Sequence, residues 1–440
     1  MEQKYYLEKR IKKFGIVNQT IARKLTKGTI EMLNAFPEKE QLVKFRSVDI
    51  TYGSGKNALK AISDLNLNIY KGEVLSLVGE SGSGKSTTGS ALAALTSHSF
   101  GSITIGNEVL PHKTTKINGK LNNYLVANVQ MIFQDPVSSL NPHKNIFKVV
   151  SEGIDNLELK TKGGIKSIFF QNFDENVFRS VVDILTKDNN WTKQRQEKTL
   201  NDFFSLIENN KQYATQFLYN EFIFSLTDKN VNNASDFVQS SLEIRKQKEG
   251  LSTAKLKHEL ILEMLKSVGL DESVLKRFPL EFSGGQQQRI GISRALVLRP
   301  KLLIADEPIS ALDVSIQAQV INIFKDLKQK YNLTILFISH DLRMVEYISD
   351  RIAVINKGKL LEIGPTKEIM NNFLHPYTKS LMEAIPTIDS KGESLLGYIY
   401  DPKIHEYSDR EQPEWINLGN NHFVLATKKE VSEWKKGVYK

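Results

Sequence analysis

Eight residues, Gly79-Glu80-Ser81-Gly82-Ser83-Gly84-Lys85-Ser86, follow directly on the apolar run Val74-Leu75-Ser76-Leu77-Val78 and precede the helix-favouring stretch Ser90-Ala91-Leu92-Ala93-Ala94-Leu95. An almost wholly apolar strand belongs inside a sheet covered on both faces. A glycine-rich turn joining it to a helix is the P-loop arrangement. The glycines let backbone N–H groups point into the loop, and the helix dipole adds partial positive charge at the same place. Such a loop suits phosphate: Lys85 reaches the β- and γ-phosphates, the Ser86 hydroxyl can hold Mg²⁺, and Thr87 belongs with Gly79, Ser81, Gly82, Ser83 and Gly84 in the nucleotide-binding set. The expected fold class is α/β, and the expected ligand is a nucleoside triphosphate with Mg²⁺.

A second strand-like run, Lys301-Leu302-Leu303-Ile304-Ala305-Asp306-Glu307, ends in two carboxylates. An acidic strand end can simply face solvent, but a fully apolar strand closing on Asp-Glu-Pro is unusual at a surface. Beside a P-loop the two acids take different work. Asp306 would orient Mg²⁺ through its water shell, and Glu307 would polarise the water that attacks the γ-phosphate.

Between these runs lies Phe282-Ser283-Gly284-Gly285-Gln286-Gln287-Gln288-Arg289, leading into the amphipathic stretch from Ile290 to Leu298. In isolation a Ser-Gly-Gly turn is an ordinary helix cap. Here it resembles the signature motif of the ATP-binding cassette (ABC) ATPases, with Phe282 where that family most often has Leu. The resemblance implies that Ser283, Gly284, Gly285 and Gln286 form a second anion cradle, which caps the γ-phosphate held by a partner subunit. It extends in order along the chain. Gln134, in Met131-Ile132-Phe133-Gln134-Asp135, is similar to the Q-loop glutamine that touches Mg²⁺ and the attacking water. Ser310-Ala311-Leu312-Asp313 is similar to the D-loop that crosses the dimer interface. His340, after Thr334-Ile335-Leu336-Phe337-Ile338, resembles the switch histidine that contacts the γ-phosphate, and Tyr52 the aromatic residue that stacks on adenine. The implied catalytic residues are Glu307, His340 and Gln134, with Ser86, Gln134 and Asp306 for Mg²⁺. The implied fold is a P-loop NTPase core of the ABC ATPase type, with an antiparallel β subdomain and an α-helical subdomain.

Three further segments narrow the resemblance: Gln134-Asp135-Pro136-Val137-Ser138-Ser139-Leu140-Asn141-Pro142, the run from Ser310 to Val320, and His375-Pro376-Tyr377-Thr378-Lys379-Ser380-Leu381. They look like the ATPases of oligopeptide/dipeptide importers, closer to the OppF type of the two such subunits. The likeness covers roughly residues 44–150 and 255–388, and is weaker through Asn421-His422-Phe423-Val424-Leu425-Ala426. It implies a second ABC ATPase subunit, two transmembrane permease subunits and an extracellular peptide-binding protein as partners. The place implied is the cytoplasmic face of the cell membrane, peripherally attached. A dipeptide or nickel importer of the same family stays open as an alternative, as does a soluble ABC ATPase acting on ribosomes or DNA. The soluble type usually carries two cassettes or a long inserted coiled coil, and neither is present here. The tail of this family often carries cysteines, in some members for an Fe–S cluster. This chain has Thr427 there and no cysteine at all, so that cofactor is not carried over and disulfides and Cys-ligated zinc are excluded.

The 440 residues contain one P-loop without a duplicate. The expected organisation is a basic N-terminal extension over 1–43, an ABC ATPase domain over 44–388 and a C-terminal extension over 389–440. Residues 101–133 look like a continuation of the nucleotide-facing β region. No run approaches the roughly 18 apolar residues of a transmembrane helix, and the N-terminus lacks a signal core, so any membrane role must come through partners. The net charge of +9 is concentrated early, with eleven Lys or Arg against five Asp or Glu in residues 1–46. A solvated, partly helical arm is expected there, in preference to an anionic-lipid contact, and no nucleic-acid partner is expected. The stretch from Gln134 to Ser283 is much longer than a compact helical subdomain needs. Its excess, about 155–250, carries Phe173, Val177, Phe178, Val181, Ile184, Leu185, Phe203, Leu206, Ile207, Phe217, Leu218, Phe222 and Leu226, spacings that predict three or four short amphipathic helices around a small core.

Overall fold

The computed structural model describes residues 4–11, 18–158, 164–384, 398–408 and 411–439. The chain divides into two compact units, one formed by residues 1–149 and 276–440, the other by Val150–Leu275.

In the first unit β1 (Tyr5–Ile11) and β2 (Asn18–Lys24) pair as an antiparallel hairpin. Next come β3 (Gln41–Tyr52) and β4 (Leu59–Tyr70), the P-loop strand β5 (Val74–Val78), then β6 (Phe100–Ile105) and β7 (Glu108–Val109). β3, β4, β6 and β7 make a four-stranded antiparallel sheet in the order β4-β3-β6-β7. The expectation of more β region up to residue 133 holds only in part. A helix, Gly119–Asn128, capped by Asn118, intervenes before β8 (Val129–Ile132), which leaves the antiparallel sheet for the larger one.

That larger sheet is completed by β9 (Leu302–Asp306), β10 (Thr334–Ser339), β11 (Arg351–Asn356), β12 (Lys359–Pro365), β13 (Glu414–Gly419) and β14 (His422–Ala426), in the order β13-β14-β12-β11-β5-β10-β9-β8. β11, β5, β10, β9 and β8 run parallel, and β12, β14 and β13 close one side as antiparallel strands. Every residue of β5, β9 and β10 is buried, the physical reason their sequences are almost wholly apolar. One apolar cluster runs from Phe45, Leu65 and Leu67 of the antiparallel sheet to Leu75, Ile304 and Leu336 of the larger one, taking in Ala91 and Leu92 of the helix Lys85–Leu92. That helix therefore starts from a fixed point, and the loop before it is held at the C-terminal end of a central strand.

The basic N-terminal segment does carry a short helix, Thr29–Leu33, but its described residues are not the solvated arm expected of it. Its hairpin docks on the antiparallel sheet: Arg23 donates to Asp49 at 2.6 Å and to the Ser47 carbonyl at 3.1 Å, and its guanidinium lies 3.9 Å from the centre of the Phe100 ring. The buried Glu8 carboxylate accepts from Gly101 N–H at 2.7 Å. Alternation in so short a segment, with its charges facing partners far along the chain, gives a single-sequence reading little to hold.

The second unit is helical, and three of the helices over the predicted stretch are longer than the spacings predicted: 26 residues in Gly164–Asn189, 17 in Lys193–Asn209 and 18 in Asn232–Glu249. A shorter stretch with a π-helical turn at Phe217–Glu221 bridges the last two. The apolar residues singled out in the sequence form a core of their own, with Phe178 stacked on Phe203 at 3.7 Å between ring centres and Phe222 packed beside them. Buried Asp174 accepts from Arg245, Tyr219 and Thr215, each at 2.9 Å, which gives this core a satisfied polar centre.

Candidate functional site

In an open sheet with parallel strands, ligands gather at the carboxyl ends of the strands. Four adjacent parallel strands here each deliver a singled-out residue to that edge: the P-loop after β5, His340 after β10, Glu307 after β9 and Gln134 after β8. The P-loop is shaped by its glycines. Gly84 sits at φ 105°, and a Cβ there would lie 2.6 Å from Ile62 Cδ1; a Cβ on Gly79 would lie 2.2 Å from the Ile355 carbonyl oxygen. No side chain fits either place. Lys85 Nζ donates to the Gly79 and Glu80 carbonyls at 2.7 and 2.8 Å, so its ammonium is held within the loop. Burial pushes the pKa of Lys85 down, against the opposing pull of Glu307, Asp306 and Glu80. The Ser83 hydroxyl is buried without a hydrogen-bond partner among the described residues. An unsatisfied donor and a buried ammonium in one loop are what an anion would satisfy.

Ser86 Oγ donates to Asp306 Oδ1 at 2.8 Å, which brings the hydroxyl and the carboxylate together. Burial raises the Asp306 pKa and the Glu307 charge adds to it, while the Ser86 bond and Lys85 pull the other way. A nearby cation would relieve that burden. No group of three or more His, Cys, Asp or Glu residues that could hold a metal ion exists among the described residues. A Mg²⁺ held by one or two protein oxygens together with substrate phosphates needs no such group, and Ser86 with Asp306 fits that donor set.

Glu307 has a left-handed backbone, φ 46°, fixed by its N–H donating to the Ile338 carbonyl at 2.9 Å. A non-glycine residue held this way costs on the order of 1–3 kcal/mol and recurs at active sites. Its carboxylate meets two other residues of the set: Gln134 Nε2 donates to Oε2 at 3.3 Å, and His340 Nδ1 lies 3.3 Å from the same oxygen. Tyr52, 43% exposed, donates from its hydroxyl to Thr87 Oγ1 at 3.4 Å and keeps a ring open to solvent beside the loop.

The remaining set gathers in a second place. Ser283 caps the helix Gly284–Leu296, and its N–H donates to Gln286 Oε1 at 3.2 Å. Gly285 packs so closely on Ile316 that a Cβ would lie 2.6 Å from that side chain, and Arg289 donates to Gln319 at 2.6 Å. The Ser283–Gln286 turn is thereby fixed to the helix Val314–Tyr331, which Asp313 caps. No hydrogen bond among the described residues joins Ser283–Gln286 or Asp313 to the P-loop. Two contacts on the P-loop escaped the sequence reading: Gly358 N–H donates to the Ser83 carbonyl at 2.8 Å, and Glu80 N–H to Tyr377 Oη at 2.8 Å. Gly358 carried no signal beyond being a glycine in a turn; Tyr377 stood within a noted motif that had no role assigned.

Residues 62–310 match the family model described as ABC transporter, and residues 361–405 that described as oligopeptide/dipeptide transporter, C-terminal region. The chain is 35% identical, over 90% of its own length and 99% of the relative's, to the oligopeptide transport ATP-binding protein OppF of Streptococcus pyogenes serotype M1. With OppF of Bacillus subtilis (strain 168) it shares 36% identity, covering 89% of this chain and 98% of that one. The dipeptide transport ATP-binding protein DppF of Lactococcus lactis subsp. cremoris is 35% identical over 91% of this chain and 98% of its own.

Proposed function

We infer the function from the premise that this chain belongs to the ABC transporter family, among the ATP-binding proteins of oligopeptide and dipeptide transport. It is an ABC ATPase that binds and hydrolyses ATP, and its work is to energise import of oligopeptides. The observation that carries the catalytic reading is the meeting of Gln134 and His340 on one oxygen of Glu307, at the strand ends that also present Lys85 and the Ser86–Asp306 pair.

In this reading the P-loop N–H groups and Lys85 bind the triphosphate, Tyr52 stacks on the adenine, and Glu307 orients the attacking water and takes up its proton as general base. Gln134 and His340 hold the Glu307 carboxylate and touch the γ-phosphate end of the substrate. Ser86, Asp306 and Gln134 would hold Mg²⁺, which supplies charge neutralisation on the β- and γ-oxygens when bound. Ser283, Gly284, Gly285, Gln286 and Asp313 act across a dimer interface, on ATP bound by a second ABC ATPase subunit. No helix among the described residues is long and apolar enough to cross a membrane. By its likeness to transport ATP-binding proteins, the chain would work peripherally, at the cytoplasmic face, on two permease subunits fed by an extracellular peptide-binding protein. Residues about 155–250 are an add-on helical module outside the catalytic set.

ATP-bound contacts that exist only in a closed dimer supply the driving bias, since a ligand shifts an equilibrium only by its differential affinity. The test is reconstitution with the second ATPase, the permeases and the binding protein in vesicles, followed by uptake of a labelled oligopeptide. Uptake that requires ATP and disappears with Lys85→Ala supports the reading. The likeness to a dipeptide transport protein favours one second reading, and uptake of dipeptides but not of longer peptides would select it.

A further inference from the structure

We propose that Tyr377 is a positioning residue of the nucleotide loop, which fixes the Gly79–Glu80 peptide through its phenol oxygen and ties that loop to the C-terminal part of the chain. The inference rests on the reading of Gly79–Ser86 as the triphosphate-binding loop. Glu80 N–H donates to Tyr377 Oη at 2.8 Å, across 297 positions of sequence. The carbonyl of the same residue accepts from Lys85 Nζ at 2.8 Å. Both backbone polar groups of Glu80 are therefore engaged, the amide by the tyrosine and the carbonyl by the ammonium. A loop whose N–H groups must converge on one anion needs each peptide plane in a single orientation, and a plane left to rotate beside Gly79 has that freedom to lose on binding.

Tyr377 is itself firmly held. Its side chain is 1% exposed, its ring packs edge-on against Tyr400 at 5.4 Å, and its N–H donates to His375 Nδ1 at 3.0 Å. The N–H groups of Leu374 and His375 donate to the two oxygens of buried Glu362 on β12, at 2.7 and 3.2 Å, and His422 Nε2 on β14 lies 2.8 Å from that carboxylate. A continuous series of polar contacts thus runs from β14 through Glu362, His375 and Tyr377 to the phosphate loop. Burial pushes the Tyr377 hydroxyl up to about 12, so the oxygen facing Glu80 stays a neutral acceptor and brings no negative charge near the phosphates.

Tyr377→Phe keeps the ring and removes the acceptor. With the full chain, titration of ATP should show a Kd raised roughly two- to tenfold, with the melting temperature of the nucleotide-free protein lowered no more than in Tyr400→Phe. Tyr400→Phe, which loses a hydroxyl that faces His405 Nε2 at 2.9 Å and leaves Tyr377 Oη in place, should bind ATP as the wild type does. Lys85→Ala in the same titration separates the two layers of the argument. If it binds ATP normally, the nucleotide reading of the loop fails and the inference falls with it. Weakened binding by Lys85→Ala together with wild-type affinity in Tyr377→Phe overturns the positioning role alone. An equal loss in Tyr377→Phe and Tyr400→Phe also overturns it, because it assigns the effect to loosened packing.

Discussion

Asp306 and Glu307 are neighbours in sequence with the same charge, yet their surroundings differ. Asp306 ends β9 within the sheet, 8% exposed and bonded to the Ser86 hydroxyl, whereas Glu307 turns out of the strand in a left-handed conformation to meet Gln134 and His340. Glu307→Gln should leave ATP affinity nearly intact while turnover in the assembled complex falls on the order of 10²- to 10⁴-fold, the contribution of a positioned general base. Wild-type hydrolysis by that variant would remove Glu307 from the role. Lys85→Ala acts one step earlier, since it deletes the loop's cation, and should weaken ATP binding by roughly ten- to a hundredfold, as loss of a charge-assisted bond does; an isothermal titration reads this directly. These positions could be singled out in the sequence because each belongs to a local pattern at the end of an apolar strand, either its last residue or the short loop that follows. The Glu80–Tyr377 bond could not, because nothing local to either residue points across 297 positions to the other.

At the scale of elements, what a sequence discloses depends on whether an element is specified from within. β5, β9 and β10 are buried on every residue and read as strands at once. In the second unit the apolar spacings gave the correct core residues but not the helix lengths, because polar residues on the outer faces continue a helix without adding to its apolar pattern. The hairpin β1–β2 is specified from outside, by Asp49 and Gly101 in other parts of the chain. Burial alone would raise the Asp49 pKa; the bonds from Arg23 and Lys60 outweigh it and hold the carboxyl below its ordinary value. A folded pKa below the unfolded one means that this stabilisation is present above the unfolded pKa of about 3.9 and is lost as the pH falls through the folded value. Arg23→Ala should therefore cost about 1.5–3 kcal/mol at neutral pH and flatten the acid limb of the stability curve. Urea unfolding at a series of pH values checks both; an unchanged acid limb would mean that Arg23 does not set the carboxyl's titration.

For the molecule as a whole, the question is whether the helical excess is part of the engine or an attachment to it. Its core is self-contained: Val177, Phe178, Leu185, Phe203, Phe222 and Val238 pack on one another within the second unit, and its charged centre, Asp174 with Arg245, is satisfied there too. Every residue placed in ATP binding or hydrolysis lies in the first unit. An element with its own core and no share of the site can be removed at a cost set mainly by loop closure, which grows slowly with loop length. Its removal does strip side-chain partners from the helix Thr253–Ser267, the Asn176 bond to Glu263 at 2.9 Å and the Lys248–Glu259 ion pair, while the Lys257–Asp155 pair stays if the cut begins after Asp155. Replacement of residues 164–249 by a short Gly/Ser linker should accordingly lower the melting temperature modestly and leave the ATP affinity at its wild-type value. The purified variant would be measured first for ATP binding and then for ATP-driven peptide uptake in the reconstituted complex. A folded variant with lost ATP affinity would show that the helices support the nucleotide site. Retained affinity with lost uptake would instead make them a docking element, required where the ATPase meets its partners and not where it holds its substrate.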